Sequence, residues 1–297
     1  MKRIDVSVII VNYNTKRLLG DCIKSVYDKT NDVSYEIIVV DNGSADGSER
    51  YIVQRYPSLC WINSGANIGF GGANNLGASQ AKGKYLFFLN SDTLLENNAI
   101  KILYDYMEAF ASEEHIGAIG SCLLDTQKNY NFSSGEFPSP QSEFRYIIHK
   151  LLKRNKGSGQ TSDVDFITGA DLFMTKEVFD SMQGFDPNIF MYYEETDLQY
   201  RMAKKGLKRR VIAGPEIIHL EGGSFKNKGL SFNRFLMAQN SYNYYVRKHY
   251  KGCEYFKFRL SLIIVRLLLF ITTNWSMKEK LKAYKKVVTG DYTVLAK

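Results

Sequence analysis

The chain has 297 residues, of which 44% are hydrophobic and 24% charged, so it is long and apolar enough for a globular core and unlike a disordered protein. Its formal charge of +8 favours an anionic partner such as a nucleotide, a nucleic acid or an acidic lipid surface. Four scattered cysteines without C-x-x-C spacing argue against a zinc site and a disulfide framework, and for a reducing compartment such as the cytoplasm.

The first half of the chain alternates apolar strand patterns with helix patterns. Strands are predicted at residues 6–11, 36–40, 59–62, 85–89 and 116–119, and helices at residues 15–28 (capped by Thr15), 46–55, 74–81 and 97–111. Because the strands are apolar on both faces, we expect an α/β fold with a mostly parallel sheet flanked by helices. Ligands of such sheets bind beyond the carboxyl ends of the strands.

The second half is less regular. Residues 125–162 are polar and contain two prolines, which predicts a long insertion or lid. A strand at 165–174, a helix capped by Thr175, a helix from Glu195 or Thr196 to Gly206, and a strand at 208–213 follow. From Phe232 the chain is mostly helical. We therefore predict one domain over residues 1–230 and a helical extension over 231–297.

No apolar run reaches the roughly 18 residues that a membrane-spanning helix needs. The apolar run near the amino terminus is too short for a signal peptide. The extension contains the stretch K-F-R-L-S-L-I-I-V-R-L-L-L-F, which has basic residues and an apolar face. It either lies in a membrane interface or packs against the first domain or a second subunit of a homo-oligomer.

Two segments near the predicted strand ends have the composition of a nucleotide site. Asp41, in D-N-G-S-A-D-G-S, can accept hydrogen bonds from a base or ribose, or form an Asx-turn that caps a helix. The segment N-I-G-F-G-G-A-N-N-L-G begins at Asn67, and its glycines, Gly69 among them, let the backbone approach a ligand closely. Its partial G-x-G-x-x-N match is by itself a weak sign of a dinucleotide site.

The strand predicted at residues 85–89 ends in Asn90-Ser91-Asp92. These side chains offer the oxygen ligands that Mg²⁺ and Mn²⁺ prefer. The alternative, and the commoner use of such residues, is to cap a helix.

Three carboxylates, Glu194, Glu195 and Asp197, stand within four positions after an aromatic run. A helix amino terminus favours anions there, which is the structural explanation. Partial burial of one of them would instead tune it as a general base. His219, followed by a Gly-Gly-Ser turn, is either a structural histidine or part of a phosphate-proximal loop.

In their order, S-V-I-I-V-N-Y-N, D-N-G-S-A-D-G-S, N-I-G-F-G-G-A-N-N-L-G, Y-L-F-F-L-N-S-D, F-I-T-G-A-D-L-F-M, G-F-D-P-N-I-F-M-Y-Y-E-E-T-D-L and H-L-E-G-G-S resemble the inverting family 2 glycosyltransferases of the GT-A fold. The resemblance covers residues 5–225 and is strongest to the rhamnosyltransferase-like branch. It implies a metal-dependent enzyme that moves a sugar from a nucleoside diphosphate, and it makes residues 1–230 the catalytic domain.

The resemblance also implies roles for individual residues. Those implied to bind the nucleotide sugar are Asn12, Asn14, Asp41, Asn67, Gly69, Asn90 and Asp92. Asp92 would ligate Mg²⁺ or Mn²⁺, helped by His219. Glu195 would be the catalytic base, kept ionised by the helix amino terminus, with Glu194 as the alternative because the family's second acid is Asp. Asp171 and Asp197 are candidates for acceptor contacts.

The donor stays open between dTDP-rhamnose, which the branch favours, and UDP- or GDP-sugars. The acceptor is expected to be a glycan or lipid-linked, not a nucleic acid, and the location cytoplasmic or at the inner face of the cytoplasmic membrane. Two other hypotheses are a nicotinamide-dependent oxidoreductase, which the imperfect glycine pattern disfavours, and a non-catalytic nucleotide-sugar-binding protein.

Overall fold

A computed structural model describes residues 3–151, 159–220, 231–267 and 273–294. Twelve strands lie in these residues: β1 Val6–Asn12, β2 Tyr35–Asp41, β3 Cys60–Asn63, β4 Tyr85–Asn90, β5 Thr93–Leu95, β6 Ile116–Ser121, β7 Ser134–Gly135, β8 Ser162–Val164, β9 Phe166–Ile167, β10 Asp171–Thr175, β11 Lys208–Ile212 and β12 Ile217–His219. The same described residues hold ten helices: α1 Lys16–Lys29, α2 Ser48–Arg55, α3 Phe70–Gln80, α4 Ala99–Phe110, α5 Pro140–Leu151, α6 Lys176–Ser181, α7 Glu194–Lys204, α8 Phe232–His249, α9 Gly252–Leu267 and α10 Met277–Thr289.

The main sheet has eight strands in the order β3-β2-β1-β4-β10-β6-β11-β8. Strands β3, β2, β1 and β4 run parallel, as do β6 and β11. Strand β10 is antiparallel to both of its neighbours, and β8 is antiparallel to β11. The predicted mostly parallel sheet is confirmed.

The register of the sheet brings polar residues to one edge. Asn12, the last residue of β1, pairs with Asp41 at the end of β2, and Val11 pairs with Asn90 at the end of β4. Strand β10 begins at this edge because it runs the other way, with Asp171 opposite Leu89. The carboxyl ends of the parallel strands therefore meet the amino end of β10.

Helices cover both faces of the sheet, as the apolar strand pattern predicts. Helices α1, α2 and α4 bury apolar side chains in one core layer, and α3, α6 and α7 do so in the layer on the opposite face. Alternate residues of a strand enter the two layers, as Val8 and Ile9 of β1 show.

Three predicted elements differ from those in the structure. Helix α3 starts at Phe70 rather than at the predicted 74, through the glycine-dense segment. The predicted strand 165–174 is divided into β9 and β10, with three residues between them. Residues 125–162 are less irregular than expected, because they include β7 and α5; residues 152–158 lie outside the described part of the chain.

The helical extension forms a third apolar core of its own, with Tyr242, Tyr245, Phe258 and Leu262 among its buried side chains. Helix α5 of the predicted insertion packs against α9. The Tyr242 hydroxyl donates to Glu143, which is buried on α5. Helix α5 thus packs with the extension, whereas β7 of the same predicted insertion pairs with β9.

Helix α9 has one buried and one exposed apolar face. Phe258 and Leu262 are buried in the extension core and Val265 is buried beside them, so this face packs within the protein. Phe256 and Leu260, on the other face, are 72% and 61% exposed. In the described residues no helix is both long and apolar enough to cross a bilayer.

Candidate active site at the carboxyl edge of the sheet

Asn12 and Asp41 form a buried pair at the ends of β1 and β2. The Asn12 amide donates to Asp41 Oδ1 at 2.7 Å and to Ser44 Oγ at 2.9 Å. Asp41 Oδ2 accepts from the Ser44 backbone N–H, the turn contact that sequence reasoning allowed. Asn14, with a φ of 55°, accepts from the Ala45 N–H. Both asparagines therefore position the loop after β2.

Thr15 links this pair to the N-S-D segment. Its hydroxyl makes hydrogen bonds to Asn12 Oδ1 at 2.8 Å and to Ser91 Oγ at 3.0 Å. The prediction that Thr15 caps α1 is wrong, because its side chain makes no cap bond; Asp46 accepts from the Lys16 N–H instead. The sequence did not predict the Asn12–Ser44 and Thr15–Ser91 hydrogen bonds, since each joins segments far apart in the chain.

The loop before α3 is anchored by amide side chains. The Asn42 amide donates to Asn67 Oδ1 at 3.0 Å, and the Gly69 N–H donates to the same oxygen at 3.1 Å. Gly69 has a φ of 82°, and a Cβ there would lie 2.4 Å from the Phe190 carbonyl oxygen. Glycine is therefore needed at this position for close contact with the protein backbone, whereas sequence reasoning had assigned it to a ligand.

Asp92 and His219 come together although they are distant in sequence. Strands β5 and β12 form a small antiparallel sheet in which Thr93 pairs with His219. This places His219 Nε2 3.4 Å from Asp92 Oδ1. The alternative of a helix cap at Asn90-Ser91-Asp92 is wrong, since β5 follows and not a helix. The Gly-Gly-Ser turn after His219 lies outside the described residues.

A carboxylate is a donor that suits Mn²⁺ or Mg²⁺, and the imidazole beside it favours Mn²⁺ of the two. Among the described residues no group of three His, Cys, Asp or Glu side chains could hold a metal ion. The pair at β5 and β12 fits an ion that takes its other ligands from water and a diphosphate, the usual arrangement for magnesium at phosphate sites.

Asp171 is fully buried at the start of β10, on the same edge. Its Oδ2 accepts from the Ser121 N–H at 2.6 Å, and Oδ1 has no hydrogen-bond partner among the described residues. Burial raises the pKa of Asp171 to about 7, against the lowering effect of Ser121 and His219. In this structure Asp171 therefore lies beneath the surface at which an acceptor would bind.

Glu194 and Glu195 begin α7 but differ in environment. Glu194 is 4% exposed, and its Oε2 has no partner in the described chain. Burial and the neighbouring Glu195 raise the pKa of Glu194 well above its ordinary value. Glu195 is half-buried, and burial raises its pKa to about 7. The expectation that the helix amino terminus keeps Glu195 ionised is corrected, because burial outweighs the backbone hydrogen bonds.

Glu195 lies near the edge that carries Asn90. A Cβ at Gly169 would be 3.9 Å from Glu195 Cβ, and the next residue, Ala170, accepts at 2.9 Å from the Asn90 N–H. The short connection between β9 and β10 thus contacts both Glu195 and the Asn90-Ser91-Asp92 segment.

Asp197 is directed to the extension. Its Oδ1 accepts from Lys248 and His249, each at 2.7 Å, and its Oδ2 accepts from Arg201 at 2.8 Å. Burial acts to raise the pKa of Asp197, but the hydrogen bond with His249 and the charges of Arg201 and Lys248 lower it to about 2. The carboxylate is therefore engaged in fastening α7 to α8, which does not favour the predicted acceptor contact.

Residues 190–193, which we call the aromatic loop, lead into α7 and are fastened to α8. Tyr192 and Tyr193 both have a φ of 68°, a left-handed conformation that bulky side chains rarely adopt. Ser241 donates to the Met191 carbonyl oxygen at 2.8 Å, and Arg234 donates to the Tyr192 hydroxyl at 3.2 Å. These contacts fix the position of the start of α7, which carries Glu194 and Glu195. Sequence periodicity gave no signal for them.

Comparison with known protein families shows which family the chain belongs to. A family model described as glycosyl transferase family 2 matches residues 7–179, more than half of the chain. The chain belongs to glycosyl transferase family 2. The resemblance inferred from the motifs is confirmed.

Two curated relatives carry rhamnosyltransferase names. The chain is 26% identical over 207 residues to the N-acetylglucosaminyl-diphospho-decaprenol L-rhamnosyltransferase of Mycobacterium tuberculosis H37Rv, covering 62% of this chain and 66% of the relative. It is 26% identical over 259 residues to the rhamnosyltransferase WbbL of Escherichia coli K12, covering 82% of this chain and 93% of WbbL. The chain thus spans just under two thirds of the mycobacterial relative.

Solved structures agree on the fold. The mannosyltransferase PcManGT of Pyrobaculum calidifontis, in complex with GDP-Man and Mn²⁺, matches with a TM-score of 0.57 at 16% identity, over 98% of this chain and 84% of that one. GalNAc-T7 with UDP, GalNAc and Mn²⁺ matches with the same TM-score at 18% identity, over 87% and 54%. The predicted GT-A fold of this family 2 member is confirmed.

Proposed function

We propose that this protein is an inverting glycosyltransferase of cell-surface polysaccharide synthesis. It moves a sugar from a nucleoside diphosphate to a glycan or lipid-linked acceptor, and rhamnose is the favoured sugar. The observation that carries the proposal is the contact between Asp92 and His219 at the edge where the Asn12–Asp41 pair lies. Family membership favours this over the nicotinamide-dependent oxidoreductase.

In this proposal the ends of β1 and β2 bind the nucleotide. Asn12 and Ser44 fix the Asp41 carboxylate, which faces a base or ribose hydroxyl as an acceptor. Asn14, Asn67 and Gly69 shape the two loops around it. Since these groups are held by hydrogen bonds within the protein, little ordering would be needed when the donor binds.

Asp92 and His219 would hold Mg²⁺ or Mn²⁺, with Asn90 beside them. When bound, such an ion neutralises the charge that develops on a leaving nucleoside diphosphate. The protein supplies the oxygen and nitrogen ligands, which the antiparallel pairing of β5 with β12 brings together.

Glu195 is the general base of the proposed reaction. A base with a pKa near neutrality is partly ionised at neutral pH, and its ionised form takes a proton from an acceptor hydroxyl readily. Glu194 is less suited to this role, because burial and the neighbouring Glu195 raise its pKa well above the ordinary value. The deprotonated hydroxyl attacks the anomeric carbon from the face opposite the diphosphate, which inverts the configuration without a covalent intermediate.

A screen of nucleotide sugars tests the proposal. Thermal unfolding with dTDP-rhamnose, UDP-sugars or GDP-sugars, each with Mn²⁺ or with EDTA, should show a rise in Tm for one donor that EDTA abolishes. Slow hydrolysis of that donor should require the metal as well. If no nucleotide sugar is bound or hydrolysed under either condition, the proposal is wrong.

The extension is proposed to touch the cytoplasmic face of the membrane through α9. Phe256, Leu260, Ile264 and Leu267 recur at helical spacing and are all exposed. An apolar face of this kind suits the boundary between lipid headgroups and acyl chains. A lipid-linked acceptor, as the name of the mycobacterial relative describes for that protein, would make such contact useful.

A further inference from the structure

A cavity of about 660 Å³ lies between the aromatic loop, α8 and α10. It is distinct from the sheet edge that carries Asp92, and no residue of the proposed donor or metal site lines it. Its volume falls within the range of small-molecule sites, which is about 300–1,000 Å³.

One wall of the cavity is cationic. Lys282, Lys285 and Lys286 lie at positions i, i+3 and i+4 of α10, a spacing that puts all three on one face of the helix. Lys286 donates to Asn240 Oδ1 at 2.8 Å, which fixes its ammonium group against α8. Asp291 is the acidic residue of the lining, so the positive charges exceed the negative.

Other residues of the lining are apolar. Phe190 and Met191 of the aromatic loop and Leu236 and Met237 of α8 line the cavity. Long, unbranched methionine side chains adapt to irregular hydrocarbon. A cavity lined by both cations and hydrocarbon suits a ligand that has a phosphate head and an apolar chain.

The cavity is connected to the acid pair. Ser241 lines it and donates to the carbonyl oxygen of Met191, three residues before Glu194. Phe190 lines it too, and its carbonyl oxygen accepts at 3.0 Å from the Phe70 N–H at the start of α3. A ligand in the cavity would therefore touch the loop that sets the position of Glu195.

We propose that this cavity binds the diphosphate and first isoprene units of a prenyl-diphosphate-linked acceptor, with the lysines of α10 on the phosphates and the aromatic loop and α8 against the chain. The inference rests on the proposed sugar transfer for the identity of the acceptor. What is new is the location of the acceptor-binding site, which the family resemblance did not give.

Farnesyl diphosphate is a soluble probe for this site. Titration calorimetry on the full chain should show binding, whereas inorganic pyrophosphate and farnesol should each bind at least about tenfold more weakly, because each lacks half of the contacts. Equal binding of pyrophosphate and farnesyl diphosphate would show a simple anion site and overturn the amphiphile assignment.

Two variants locate the binding. Lys282→Ala/Lys285→Ala removes two cations, and Met237→Trp fills the cavity without changing charge; each should raise the Kd of farnesyl diphosphate at least about tenfold. The matched control, Lys257→Ala/Lys278→Ala, removes two exposed lysines that do not line the cavity and should stay within about twofold. Unchanged binding in both cavity variants would overturn the site.

Donor hydrolysis with Mn²⁺, measured on the same proteins, separates the two proposals. Retained hydrolysis in the cavity variants shows that they are folded, so their loss of farnesyl diphosphate binding then supports the site. Retained hydrolysis together with unchanged farnesyl diphosphate binding contradicts the site alone. If the wild type hydrolyses no donor but binds the probe in a lysine-dependent way, the proposed sugar transfer fails and the cavity stands.

Discussion

His219 Nε2 lies 3.4 Å from Asp92 Oδ1, between the end of β12 and the residue that precedes β5. The backbone supports the contact, because the Leu220 N–H donates at 2.9 Å to the Asp92 carbonyl oxygen. The pair is thus fixed by strand pairing and not by side-chain packing alone, which keeps the two donor atoms together.

Asp92→Asn should lower donor turnover by at least about 100-fold while the protein stays folded, since it removes the proposed metal carboxylate but preserves shape. His219→Ala should raise the Mn²⁺ concentration needed for half-maximal activity by about 10- to 100-fold. Activity measured against Mn²⁺ concentration, with circular dichroism as the control of folding, checks both. Full activity of Asp92→Asn in the presence of EDTA would contradict the metal assignment.

Glu195→Gln should reduce transfer by about 10²- to 10⁴-fold and leave donor affinity unchanged, as loss of a general base does. Glu194→Gln should cost much less, because burial and Glu195 raise the pKa of Glu194 and so disfavour the ionised form that a base needs. In the wild type, transfer should rise with pH through about 7 as Glu195 ionises, and then level off. A larger loss in Glu194→Gln than in Glu195→Gln would reverse the assignment.

Gly69→Ala should destabilise the protein by about 3 kcal/mol or more, since a positive φ is combined with an overlap on the Phe190 carbonyl oxygen. Gly65→Ala is the matched control. It also has a positive φ, 77°, but no described atom lies within 4 Å of the added Cβ. It should cost about 1–2 kcal/mol from the backbone alone. Urea unfolding of the two variants gives the difference, and equal losses would refute the overlap.

The Asp197 cluster should make stability fall at acid pH. Lys248, His249 and Arg201 face this carboxylate, and its folded pKa of about 2 lies below the unfolded value of about 3.9. The stabilisation, about 2–3 kcal/mol, is complete above pH 4 and is lost as pH falls through about 2. Asp197→Asn should remove this pH dependence and destabilise at pH 7, whereas Asp28→Asn, at an exposed pair with Lys24, should do neither. Unfolding free energies measured from pH 2 to 7 test this.

The exposed face of α9 should bind anionic vesicles. Leu260→Gln/Ile264→Gln should weaken vesicle binding at least about tenfold by removing apolar area, with no loss of donor hydrolysis. The control Val53→Gln changes an exposed apolar residue on α2, outside the extension. Co-sedimentation with phosphatidylglycerol vesicles measures the effect, and equal sedimentation of all three proteins would contradict membrane contact.

Much of the main sheet could be predicted, because its strands are short apolar runs that end in turn-forming residues. Val6–Asn12 and Tyr85–Asn90 differ by one residue at their ends from the predicted strands. Where the prediction erred, tertiary contacts decided. Thr15 bonds Asn12 and Ser91 instead of capping its helix, and the Phe190 carbonyl oxygen engages the start of α3 earlier than propensity indicates.

The sequence by itself determined the family, the strand ends and the acidic pair, because these depend on local pattern and on the order of motifs along the chain. The tertiary structure alone decided that His219 meets Asp92, that Asp197 is fastened to α8 and that the lysines of α10 line one cavity with the aromatic loop. The physical reason is that each of these depends on strand or helix packing between distant segments. Burial, which raises the pKa of both Glu194 and Glu195, likewise exists only once those segments have packed.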